Sequence, residues 1–147
     1  SSSSEVPQLH LQSTCTGHKQ AVSAVRFSPS GELLASASAY KTVRLWRVAD
    51  GSAADPSSAM EHEGGINDVA WNPQGNYLAT ASDDLTARIW DAESGKCLVT
   101  LAGHTTYVFC CSFNPVGHIL VRQQQARQHT AARSHKAAGD CAQLQPC

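Results

Sequence analysis

Apolar and polar residues alternate along this chain in short runs, and the same runs return at regular intervals. Val25 and Phe27 alternate with Ala24 and Arg26, and Val69 and Trp71 repeat the pattern. A period of two predicts half-buried β-strands. "SPSG" at 28–31 and "NPQG" at 72–75 follow, with proline at the second turn position and glycine at the fourth, so a tight turn leads into each next strand. "LLASAS" at 33–38 and "YLATAS" at 77–82 read as second strands, "TVRLW" at 42–46 and "TARIW" at 86–90 as third strands, and "KCLVTL" at 96–101 as a fourth. No segment has helical periodicity, so the expected class is all-β.

The runs form an internal repeat. The stretch from Gly17 aligns with that from Glu61 and with a shorter one from Gly103. His18, His62 and His104 keep step, spaced 44 and then 42 residues apart, as do Pro29, Pro73 and Pro115, and Gly31, Gly75 and Gly117; Trp46 and Trp90 close the first two units. A period of about 40–45 residues belongs to four-stranded propeller blades. The linker "VADGSAADPSSAM" at 48–60 is rich in Ser, Ala and Asp, so the outer edge of the first unit is expected to be weakly formed.

Composition narrows the function. The 147 residues carry 11 Lys and Arg against 12 Asp and Glu, which predicts no general attraction to nucleic acid or anionic membranes. No apolar run approaches the roughly 20 residues of a membrane span, and "SSSSEVPQ" lacks the regions of a secretory signal. The expectation is a soluble, intracellular protein; the absence of an initiating methionine suggests a missing start. Neighbouring Cys110 and Cys111 would face opposite sides of a strand, so reduced thiols are expected. Cys15 and His18 have C-x-x-H spacing but no second ligand pair, so no metal is expected. Phosphate-cradling loops are absent and no cofactor is expected.

The "GH" pairs, "ASDD" at 81–84 and "IWD" at 89–91 resemble the WD-repeat family of β-propellers over about residues 9–121. The resemblance implies an incomplete propeller, with two four-stranded blades and part of a third, of a ring of about seven blades. It also implies a buried network through His62, Thr80, Asp84 and Trp90. The first-unit counterparts are His18, Ser36, Tyr40 and Trp46, so a phenol stands where the carboxylate should be, and that network is expected to be incomplete; His104 begins a third. His, Asp and a hydroxyl also compose hydrolytic triads. Thr80, however, lies inside a strand without a G-x-S-x-G elbow, and the set recurs with a tryptophan in register, so no catalysis is expected.

Within the family, "INDVAWNPQGNYLATASDD", "GKCLVTLAGH" and "YVFCCSFNP" are most similar to the propeller subunit of COMPASS-type histone methyltransferase complexes. That resemblance implies a nuclear protein-binding scaffold whose central channel takes an arginine from a histone tail or a methyltransferase subunit, without direct binding of nucleic acid or membrane. The matching channel positions are Ala21, Ala39, Asn67, Asp83 and Phe109, with Asn67 replacing an expected serine. An aromatic face and a carboxylate suit a guanidinium. The alternatives are an adaptor in ubiquitin ligation or signalling, or a truncated product without stable function. Residues 1–8 read as a flexible tail, "HLQSTC" at 10–15 as the outer strand of a preceding blade, and 122–147 as a low-complexity tail, arising by a change of reading frame, that cannot build a core strand.

Overall fold

The computed structural model describes residues 6–54, 60–123 and 141–144. It contains ten strands and no helix among the described residues: β1 (Val22–Phe27), β2 (Leu33–Ser38), β3 (Val43–Arg47), β4 (Ile66–Trp71), β5 (Tyr77–Ser82), β6 (Ala87–Asp91), β7 (Cys97–Leu101), β8 (Val108–Phe113), β9 (Ile119–Gln123) and β10 (Cys141–Leu144). They form three antiparallel sheets, ordered β1-β2-β3, β4-β5-β6-β7 and β8-β9-β10. Each repeat unit is one sheet. β1 lies against β4 and β4 against β8, so the first strands of successive sheets stand side by side, as blades require.

Packing explains the alanine-rich second strands, which propensity disfavours. Ala35 and Ala37 on β2 are fully buried with Val43 and Leu45 under Ile66, Val69, Trp71, Leu78 and Trp90 of the next sheet. Ala79 and Ala81 of β5 repeat this beneath Val108, Cys111, Ile119 and Val121. Small residues on one face let the bulky face of the following blade approach closely. The opposite face of the first sheet has no such cover: Val25 is 49% and Phe27 64% exposed, while their counterparts Val69 and Trp71 are buried.

Each first strand carries one register shift at the same place: between Val22 and Ala24, Ile66 and Asp68, and Val108 and Cys110. The extra residues are Ser23, Asn67 and Phe109. A bulge turns one side chain out of the strand's alternation.

The units differ at their outer edges. Only the second has four strands among the described residues. Along β3, pairing is reduced to Arg47 N–H to Ser52 O, Ala54 N–H to Leu45 O and, after residues 55–59, Val43 N–H to buried Met60 O. Trp46 to His62 spans 16 residues and Trp90 to His104 spans 14; this two-residue excess in the linker accounts for the unequal spacing. The first-to-second-strand turn is one residue shorter in the third unit, since Asn114 N–H bonds His118 O where Asn72 N–H bonds Tyr77 O. Gly31, Gly75 and Gly117 in these turns have φ of 77°, 76° and 92°, a left-handed backbone that favours glycine.

Two expectations are corrected. Residues 10–15 form no strand: Leu9 and Leu11 are exposed, and Gln12 Nε2 donates to Val48 O at 3.4 Å. Ser13 lies against Gly51, but among the described residues no strand ladder pairs with this segment, and a strand needs one. After Val121, β9 continues to Gln123, and Cys141–Leu144 pairs antiparallel with it as β10. An open sheet edge is completed through backbone groups, which any proline-free segment can supply. The rest of the 122–147 tail, like residues 1–5, lies outside the described residues.

Candidate functional site

The second unit holds a closed chain of hydrogen bonds. Trp90 Nε1–H donates to Thr80 Oγ1 at 2.9 Å, the Thr80 hydroxyl donates to His62 Nε2 at 2.5 Å, and His62 Nδ1–H donates to Asp84 Oδ2 at 2.8 Å. The Asp84 carboxylate can only accept, which puts the proton of neutral His62 on Nδ1, leaves Nε2 as an acceptor and so makes the Thr80 hydroxyl its donor. Asp84 also accepts the backbone N–H of Glu63 at 3.2 Å and of Thr86 at 2.9 Å, and Arg88 stands 3.8 Å from it. One carboxylate therefore ties the blade entrance, the turn between β5 and β6, and the histidine. Burial holds the His62 pKa below its ordinary value despite Asp84. Burial pushes the Asp84 pKa up, but hydrogen bonds from Thr86 and His62 outweigh it and the net direction is down.

In the first unit the chain stops short. Trp46 Nε1–H donates to Ser36 Oγ at 2.8 Å, and Ser36 Oγ and His18 Nε2 share a hydrogen bond at 2.6 Å. His18 Nδ1 is buried without a hydrogen-bond partner. Tyr40 does not replace the carboxylate; its ring is 39% exposed, with Lys19 Nζ 5.1 Å from its centroid. Desolvation and the Arg44 charge hold the His18 pKa down. His104 Nδ1 is likewise buried without a partner. Opposite Cys111 stands Val121, where Thr80 stands opposite Val69, because the shorter turn moves β9 by one residue. Cys111 is a small core residue, its pKa raised by burial.

Four of the five positions expected to line a channel, Ala21, Ala39, Asn67 and Asp83, are linked by close contacts, and the fifth, Phe109, follows Val108 in the chain. Ala39 N–H donates to Ala21 O at 3.0 Å, and Asp83 N–H to Gly65 O at 2.9 Å. A Cβ on Gly65 would come within 3.0 Å of Ala39 O, which joins the two units tightly. Asn67 Nδ2 donates to Asp83 Oδ1 at 2.7 Å and to Val108 O at 2.9 Å. Phe109 follows Val108 and is 59% exposed. Asn67 and Phe109 are two of the three bulge residues, at equivalent positions of neighbouring units. Asn67 is more than a serine substitute: its amide reaches both the carboxylate and the next blade. Sequence reasoning missed Ser23, the first bulge residue, which donates to Ala37 O at 3.1 Å and to Ile66 O in the following blade. Its alignment with Asn67 was the available signal. Gly64 was also missed: a Cβ there would come 2.8 Å from Asp84 N.

Repeated sheets, the His–Asp–Trp network and the turn glycines define a WD-repeat protein. The model of the WD domain, G-beta repeat (WD40), matches residues 9–47, 56–91 and 95–121, more than half of the chain, which therefore belongs to the WD40 family. Protein Mut11 of Chlamydomonas reinhardtii is 52% identical over 53 residues, covering 33% of this chain and 14% of Mut11. The chain thus spans a small part of that relative. The crystal structure of RRP9 WD40 repeats is similar with a TM-score of 0.68 and 21% identity over 74% of this chain and 34% of that one. The structure of U3-55K gives a TM-score of 0.66, with 21% identity, 74% and 35%. These two are likenesses of fold. WD40 domains are in general protein-interaction scaffolds.

Proposed function

We propose that the chain is part of a non-catalytic, nuclear protein-binding scaffold whose rim takes an arginine-bearing peptide, such as a histone tail or a methyltransferase segment. The observation that carries this reading is that Asn67 and Phe109 sit at equivalent bulges of neighbouring units, with Asn67 Nδ2 joined to Asp83 at 2.7 Å and to the carbonyl of Val108, the residue before Phe109. Phe109 and Asp83 are both exposed, and an aromatic face and a carboxylate offer a guanidinium stacking and charge. Absence of catalysis is part of the proposal. Thr80 is fully buried and its oxygen already accepts the Trp90 N–H, so a substrate cannot reach the triad-like set.

The test is a titration of the full chain with an arginine-containing histone-tail peptide. Phe109→Ala and Asp83→Asn should each weaken binding by about three- to thirtyfold, the range of a partly desolvated cation–π contact. Binding that both substitutions leave unchanged would overturn the arginine rim and favour an adaptor of another assembly.

A further inference from the structure

The units differ in charge at one corner, where the blade entrance meets the turn between the second and third strands. In the second unit this corner carries Glu63, Asp84, Leu85 and Arg88; in the first, the matching residues are Lys19, Tyr40, Lys41 and Arg44. Two anions and one cation have become three cations. Arg88 has Asp84 at 3.8 Å and donates to Glu61 O at 2.9 Å. Lys19, Lys41 and Arg44 make no ion pair among the described residues. The acidic residue near this corner is the exposed Glu61, bridged through its backbone to Thr42.

The corner keeps the histidine and the arginine that flank the carboxylate in the second unit. His18 takes the place of His62 with Nδ1 unpartnered, and the Arg44 guanidinium is let in against Gly17, where a Cβ would come 2.6 Å from its Nη1. Lys19 lies over the Tyr40 ring and Arg44 over Trp46, 6.0 Å from its centroid. Cations resting on aromatic faces are positioned without being neutralised. Both lysines are exposed.

We infer that the corner of Lys19, Lys41 and Arg44 around Tyr40 is a docking surface for an Asp- or Glu-bearing segment of a partner polypeptide. It goes beyond the arginine rim, which it adjoins through Ala39, and it selects the opposite charge. A partner carboxylate occupies the electrostatic role that Asp84 fills internally one blade later. Unpaired cations with no internal acid give both affinity and a salt-dependent approach rate.

The experiment is fluorescence anisotropy of the full chain with a labelled Glu-rich peptide and its Gln-for-Glu counterpart. The Glu peptide should bind with an affinity that falls as salt rises. Lys41→Glu and Tyr40→Asp should each weaken it by about fivefold or more. Lys96→Glu, at an exposed lysine of the second unit, should leave it unchanged. Lys19→Gln gives a second neutralising variant, with circular dichroism checking that every variant folds like the parent. Equal binding of the Gln peptide, or equal weakening by Lys96→Glu, would overturn the inference. A phosphoserine peptide of matched charge binding about tenfold tighter would also overturn it, assigning the corner to phosphate.

Discussion

His62 Nδ1 lies 2.8 Å from Asp84 Oδ2, whereas His18 Nδ1, the same atom one unit earlier, meets no partner. The two blades thus share a tryptophan, a hydroxyl and a histidine, and differ in whether the histidine's Nδ1 has a hydrogen-bond partner. Unequal stability of the units follows from that difference.

Restoring the acceptor should strengthen the first blade. Tyr40→Asp is expected to stabilise the chain by about 1 kcal/mol, the net value of one hydrogen bond formed by a buried donor. Urea denaturation, compared with Tyr40→Phe, measures it. Tyr40→Phe should change stability little, because no hydrogen bond to the Tyr40 phenol links it to the network.

Removing the acceptor from the second blade should cost more. Asp84→Ala orphans His62 Nδ1–H and releases the Glu63 and Thr86 amides. The expected loss is about 2–4 kcal/mol, read from the same denaturation experiment. A loss below the Tyr40→Asp gain would mean that the network does not hold the blade.

Acid should destabilise the fold in two windows. The pKa values of His18 and His62 are lowered in the folded state, so the unfolded chain takes up protons first as pH falls below the ordinary histidine value of about 6.5. Stability is therefore full above that value and declines beneath it. Asp84, also lowered, adds a second decline as pH falls below the ordinary carboxylate range. Thermal melts across this range should show the melting temperature dropping, with a smaller drop near pH 6 in His62→Gln.

Enlarging the small face should separate the blades. Ala81→Leu places three more carbons where Ala81 is fully buried within the cluster of Val108 and Ile89. Overpacking of this kind costs about 1–3 kcal/mol. The same substitution at exposed Ala102 should be tolerated, and a common denaturation assay compares the two.

Much of this was legible along the chain because it depends on local rules. Alternation at Val25 and Phe27 gave the strand, "SPSG" and "NPQG" gave the turns, and the missing carboxylate at Tyr40 gave the incomplete network. The bulges were not legible, since Ser23, Asn67 and Phe109 share no side-chain chemistry and their offset exists only in pairing between strands. The register of β9 was hidden for the same reason: one residue fewer in a turn changes which residue stands opposite Cys111.

The sequence by itself determined the repeat, the all-β class and the members of each His–Trp network, because residue type and period act within one unit. Tertiary structure decided which residues occupy the bulges, which blade edges are completed and which aromatic rings Lys19 and Arg44 rest on. Those outcomes depend on strand register and on sheet facing sheet, and such contacts are set by geometry between units that no single stretch of residues encodes.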